Sequence, residues 1–295
     1  MRYLVTGVKG QLGYDIVREL KSRGITDIIA LDKDDMDITD KEQVNSVIKE
    51  YNPDVIYHCA AWTAVDKAES MEDVVRKVNV DGVRNITEAS IEVDAKLFYI
   101  STDYVFDGTK DGLYTELDEA NPKSVYGLTK YLGELEAMKN PKHFITRISW
   151  VFGINGNNFI KTMLILSENH EMLTVVDDQV GSPTYTVDLV KVLVDMAQTE
   201  KYGLYHVNND GYCSWAEFAK YIMESNNKKT VIKPVTTEEY YEGKDMSQIA
   251  YRPRNSKLSK QKLVDNGFNM LPDWHDAVDR YNEELEEQKV LKKEL

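Results

Sequence analysis

A tyrosine and a lysine one helical turn apart, in Tyr126-Gly127-Leu128-Thr129-Lys130, have the plainest chemical potential in the sequence. On a helix, positions i and i+4 share a face. An ammonium beside a phenol stabilises phenolate and draws the tyrosine pKa down from ~10. Such a phenol can give a proton to a carbonyl oxygen while hydride reaches the carbon. Ser101-Thr102-Asp103 ends a short apolar run, and the Thr102 hydroxyl can hydrogen-bond the same oxygen and steady the charge that develops on it. Gly7-Val8-Lys9-Gly10-Gln11-Leu12-Gly13 has the spacing GxxGxxG. Gly7, Gly10 and Gly13 permit a tight turn and let backbone N–H groups approach a pyrophosphate at a helix N-terminus. Asp32, ~20 residues beyond that loop, can accept hydrogen bonds from an adenosine ribose, whereas Lys33 can meet a 2′-phosphate. NAD and NADP both stay open.

These groups need a scaffold that brings them to one edge. Short apolar runs at Tyr3–Thr6, Ile28–Leu31, Val55–His58, Leu97–Ser101 and Phe144–Ile148 suit strands buried on both faces. Amphipathic stretches separate them. In the first, Leu12, Ile16, Val17 and Leu20 keep helical spacing before Gly24. The alternation predicts an α/β fold, a Rossmann-type doubly wound parallel sheet, with a smaller α+β substrate domain. Residues 1–150 form the NAD(P)-binding domain. A helix over 185–198 and a strand over 204–207 return 185–208 to it. Residues 151–184 and 209–285 form the substrate domain, irregular and polar over 226–253. Asp273 N-caps a helix whose apolar face is Trp274, Ala277, Val278, Tyr281 and Leu285. Residues 286–295 are a charged tail that frays.

Composition narrows the partners. With 42% hydrophobic and 29% charged residues in 295, disorder throughout is excluded. A net charge of −14 speaks against nucleic acid and against an anionic membrane surface. No stretch of ~18 apolar residues could span a membrane, and the N-terminal apolar run is too short for a signal peptide. Two distant cysteines, Cys59 and Cys213, make neither a disulfide framework nor a zinc site. A cytoplasmic protein is expected. The five histidines lack ligand spacing. His58 reads as a core imidazole, and Trp215 and Trp274 read as packing residues. Trp150 differs, because it ends a strand on the side where a ligand should lie.

The loop, the strand-end threonine and the Tyr-xxx-Lys pair together resemble the extended short-chain dehydrogenase/reductase family. Four further stretches, residues 60–69, 101–108, 178–184 and 252–256, narrow the likeness to members that reduce dTDP-linked 4-keto sugars, over all but the tail. The resemblance implies reduction of the 4-keto group of dTDP-4-dehydro-β-L-rhamnose by NADPH or NADH. It implies Thr102, Tyr126 and Lys130 as the catalytic set. Cofactor positions are Gly10, Gln11, Leu12, Asp37, Ile38, Ala61, Trp62 and Thr63, with Tyr126 and Lys130 shared. Substrate positions are Val65, Thr102, Asp103, Tyr104 and Trp150. Some relatives hold magnesium between subunits, which brings a homodimer into view. Asp15 and Asp188 fall near their carboxylates, but no third acid joins them, and no metal is assigned. Two alternatives are carried: a sugar-nucleotide epimerase or dehydratase, and a non-catalytic nucleotide-binding regulatory subunit. Dehydration is disfavoured, since Tyr104 stands where dehydratases of the family place a glutamate base.

Overall fold

The computed structural model describes residues 1–246 and 249–293. The first half alternates strand and helix: β1 (Tyr3–Thr6), α1 (Gln11–Ser22), β2 (Ile28–Leu31), α2 (Lys41–Tyr51), β3 (Val55–His58), α3 (Val65–Glu69), α4 (Glu72–Arg76), α5 (Gly82–Glu92), β4 (Lys96–Thr102), α6 (Val125–Ala137) and β5 (His143–Ile148). Then follow β6 (Val151–Phe152), α7 (Phe159–Ser167), β7 (Met172–Val176), β8 (Val180–Gly181), β9 (Thr184–Tyr185), α8 (Thr186–Ala197), β10 (Gly203–His206), β11 (Cys213–Ser214), α9 (Trp215–Ser225), β12 (Val231–Val235), α10 (Thr237–Tyr241), α11 (Gln261–Asp265) and α12 (Trp274–Lys293).

A six-stranded sheet in the order β10-β5-β4-β3-β1-β2 is parallel throughout. Parallel strands need crossovers, and these put helices on both faces. On one face Ile16 and Leu20 of α1 and Leu189 and Leu193 of α8 pack on Val5, Tyr57, Phe98 and Phe144. On the other, Val44 and Ile48 of α2 and Val83 and Ile86 of α5 pack on Leu4, Ile56, Leu97 and Tyr99. Each such aliphatic side chain contributes ~1.5–3 kcal/mol on burial. A separate core joins α7, α9 and α12 through Ile160, Phe218, Ile222, Val278 and Tyr281.

The structure departs from the sequence expectations in two places. The segment expected to be irregular over 226–253 contains β12, which pairs in parallel with β7, and the short α10. Only Ile232 of β12 is buried, so its apolar signal is thin. The tail is helical as far as Lys293, because Glu and Lys are good helix formers and continue α12 past its apolar face. Residues 294 and 295 lie outside the described residues.

Candidate active site

The C-terminal ends of β1 to β5 open on a cleft of about 1030 Å³. This is the edge where doubly wound sheets bind ligands. At its floor Gly7 has φ +69°, and a Cβ there would lie 2.8 Å from the Ala60 nitrogen. A Cβ on Gly13 would lie 2.4 Å from the Gly7 carbonyl oxygen. Only glycine lets the chain turn this tightly into α1. The N-terminus of α1 has no side-chain cap and no acidic residue in its first turn. Its N–H groups and dipole therefore suit a phosphate, and the residues present fit a dinucleotide. The Gln11 side chain accepts from the Gly153 amide at 2.9 Å, and Asn155 donates to the Lys9 carbonyl at 2.8 Å. The 153–158 loop is thus tied to the glycine loop.

Asp32 closes β2 at the far end of the cleft and accepts from the Lys9 and Lys33 amides, each at 2.9 Å. Lys9 is paired with Asp34 at 2.7 Å. Lys33 lines the cleft and is exposed.

Ser124 caps α6 by accepting from the Gly127 amide, and Glu69 accepts from the Val125 amide. This fixes the helix start. A Cβ on Gly127 would meet the Tyr104 carbonyl at 2.3 Å, so α6 lies hard against the end of β4. Tyr126 and Lys130 consequently face the cleft together. The Tyr126 phenol and the Thr102 hydroxyl line the cleft together, and the hydroxyl works to lower the phenol's pKa. Thr102 in turn donates to Asp103 at 2.9 Å, and Ser256 donates to the other Asp103 oxygen at 2.5 Å. Burial pushes the Asp103 carboxyl up to about 6, against the pull of these hydroxyls.

One expectation is corrected. Lys130 does not draw the Tyr126 pKa down. Burial pushes the phenol up to about 12, and the Asp103 carboxylate adds to the rise against the pull of the Thr102 hydroxyl. Burial also brings Lys130 itself down to about 7, with Glu134 and Cys59 pulling the other way. Its ammonium lies over the Tyr99 ring, 4.2 Å from the centre. Desolvation sets the direction of the Tyr126 shift, and Lys130 is not among the groups that offset it.

The cleft gathers every nominated residue. Gly7, Gly10, Gln11, Leu12 and Gly13 line one end with Asp32, Asp37 and Ile38. Ala61, Trp62, Thr63 and Val65 form one side. Thr102, Asp103, Tyr104, Tyr126, Lys130 and Trp150 close the other end. Sequence reasoning missed Asn79, in a π-helical turn over Lys77–Asp81. It holds Trp62 by both backbone groups, at 2.8 and 3.1 Å, and donates to Thr129 of α6 at 3.3 Å. π-Helical turns often mark functional sites, but their register is invisible to a helical periodicity. Trp215, read as a packing residue, packs against the separate core of α7, α9 and α12 and stacks on Trp150. His58 is a buried imidazole 2.9 Å from the Thr6 hydroxyl.

The acids considered for magnesium do not fit a metal. Arg18 lies 3.0 Å from Asp15, and Arg280 binds both oxygens of Asp188 at 2.8 and 2.6 Å. Among the described residues no group of three His, Cys, Asp or Glu could hold one. No helix among them is long and apolar enough to cross a membrane.

Comparison with known proteins shows the family. The pattern of the RmlD substrate binding domain matches residues 1–287. The chain is 41% identical to the dTDP-4-dehydrorhamnose reductase of Aggregatibacter actinomycetemcomitans over 285 residues, covering 94% of this chain and 97% of that one. A crystal structure of a dTDP-4-dehydrorhamnose reductase from Clostridium acetobutylicum superposes with a TM-score of 0.92 at 40% identity, covering 97% of this chain and 100% of the other. The Bacillus anthracis dTDP-4-dehydrorhamnose reductase, solved in complex with NADP, gives 0.91 at 43% identity, covering 96% and 99%. By pattern, identity and fold alike, the chain belongs to the RmlD substrate-binding-domain family, that of the dTDP-4-dehydrorhamnose reductases.

Proposed function

We propose that this chain reduces the 4-keto group of dTDP-4-dehydro-β-L-rhamnose to the alcohol of dTDP-L-rhamnose, using NADPH or NADH. The observation that carries this is the convergence of Thr102, Tyr126 and Lys130 on one cleft, the last two on the same face of α6. A reduced nicotinamide, when bound, supplies the hydride that becomes the new C–H bond at C4. Tyr126 gives its phenolic proton to the keto oxygen, forming the O–H bond as the C=O π bond breaks. A phenol near 12 is protonated at neutral pH and can protonate the more basic alkoxide. Thr102, anchored by Asp103 in the free site, turns its single O–H to the keto oxygen when substrate binds. Lys130 holds the cofactor ribose. Trp150 and Val65 bound the sugar-nucleotide end, with residues 151–184 and 209–285 as the substrate domain.

Tyr104 weighs against dehydration. It offers no carboxylate, and burial pushes its phenol well above the ordinary value, so it is no base near neutrality. The two free thiols support a cytoplasmic setting, and a homodimer stays an expectation of the resemblance. The test is the purified chain alone with dTDP- or UDP-linked 4-keto sugars and either nicotinamide. One equivalent of cofactor oxidised per sugar supports reduction. Change only in a partner enzyme's activity would favour a regulatory subunit.

A further inference from the structure

Trp150 is a bulky residue with φ +49°, a backbone region that such residues rarely adopt. Strain of this kind persists only when surroundings enforce it, and it gathers at ligand sites. The surroundings here are specific. The Trp215 indole lies on that of Trp150, with centroids 3.7 Å apart and planes 15° apart. Phe159 backs Trp215 at 4.6 Å. Along the Trp150 edge runs Gly181, where a Cβ would come within 2.8 Å of the indole ring. The two clamping elements are joined: Cys213 and Ser214 of β11 pair antiparallel with Gly181 and Val180 of β8. Ser214 then caps α9, whose first residue is Trp215, through a reciprocal capping box with Glu217. The Trp150 carbonyl accepts from the Thr184 amide at 3.1 Å, which fixes the strained backbone. Trp150 remains half-buried and lines the cleft.

We propose that Trp215 and Gly181 are positioning residues that lock the Trp150 indole as a rigid platform, on which a planar or apolar ring face of the sugar nucleotide packs. A side chain already held in one rotamer loses little entropy when the ligand arrives, so the clamp acts on substrate affinity. Trp215 and Gly181 do not line the cleft that the glycine loop borders, so cofactor affinity should not follow substrate affinity. The inference rests on the proposed function, in that Trp150 contacts the substrate.

The experiment measures the KM for dTDP-4-dehydro-β-L-rhamnose, the Kd for dTDP by tryptophan fluorescence, and the Kd for NADPH in Trp150→Ala, Trp215→Ala, Trp215→Phe and Gly181→Ala. Stacking of a ring on an aromatic side chain predicts an increase of about tenfold in KM and in the dTDP Kd for Trp215→Ala and Gly181→Ala. NADPH binding should be unchanged, and Trp215→Phe should recover most of the loss. If Trp215→Ala misfolds, Trp215→Phe and Gly181→Ala still decide the matter. An increase with Trp150→Ala, together with none in Trp215→Ala and Gly181→Ala, overturns the clamp and leaves the site. No change with Trp150→Ala overturns the placement of substrate itself. Equal losses in substrate and NADPH affinity would reduce the clamp to a general structural role and so overturn it.

Discussion

The Lys130 ammonium stands 4.2 Å from the centre of the Tyr99 ring, and the Tyr99 hydroxyl donates to the Lys130 carbonyl at 3.0 Å. One aromatic residue of β4 thus holds both ends of the lysine proposed to hold the cofactor ribose. Behind it Glu134, one turn further along α6, takes both a bidentate contact from Arg147 at 2.8 and 2.7 Å and the Ser101 hydroxyl at 2.5 Å.

The cofactor should bind through a protonated Lys130. Burial brings this group down to about 7, so kcat/KM for NADPH should fall as pH rises through about 7. Glu134 raises the Lys130 pKa; Glu134→Gln therefore moves the fall to lower pH. A profile flat across this range, or unmoved by Glu134→Gln, contradicts the assignment.

Asp103 should set the acid limb for the substrate. Its carboxyl lies at about 6, raised by burial, and as an anion it accepts from Thr102. Protonation below that pH weakens its hold on the Thr102 hydroxyl, so kcat/KM for the keto sugar falls as pH drops. Asp103→Asn should lower kcat about tenfold, the worth of ~1.4 kcal/mol, and remove that limb. An unchanged limb in the asparagine variant would place its origin elsewhere.

The Glu134–Arg147 pair should matter for folding. Both side chains are almost wholly buried. Arg147→Met leaves a buried charge without its partner and should cost ~3–5 kcal/mol in urea unfolding. Arg147→Met with Glu134→Leu should recover much of it, whereas equal losses in the single and double variants would show that packing, not charge, is at stake.

Gly13→Ala tests the turn. The added Cβ would meet the Gly7 carbonyl at 2.4 Å, and backbone on that side cannot easily retreat. NADPH affinity should fall by at least about tenfold, from displaced phosphate-binding amides. Unaltered NADPH titration would mean that the loop does not carry the phosphates.

Much of the sheet was legible because the parallel strands are buried on both faces, as Tyr3–Thr6 and Val55–His58 are, and such strands read as unbroken apolar runs. Gly7, Gly10, Gly13, Tyr126 and Lys130 were legible because glycine turns and helical spacing are local, whereas Asp37, Ile38, Ala61, Trp62, Thr63 and Val65 were reached only through the family resemblance. The Trp150–Trp215 stack was not, since it joins residues far apart in the chain through the β8–β11 pairing. Nor was the direction of the Tyr126 shift, because desolvation is a property of the packed fold and not of the i, i+4 spacing. The strand β12 escaped notice because it buries one residue and pairs only with β7.

The most direct test compares single-turnover oxidation of NADPH by the unmodified chain and by Tyr126→Phe, with saturating dTDP-4-dehydro-β-L-rhamnose. Loss of the proton donor should slow the step by ~10²-fold or more while NADPH binding is retained. An equal rate in the two proteins would contradict the role given to Tyr126 and the chemistry built on it.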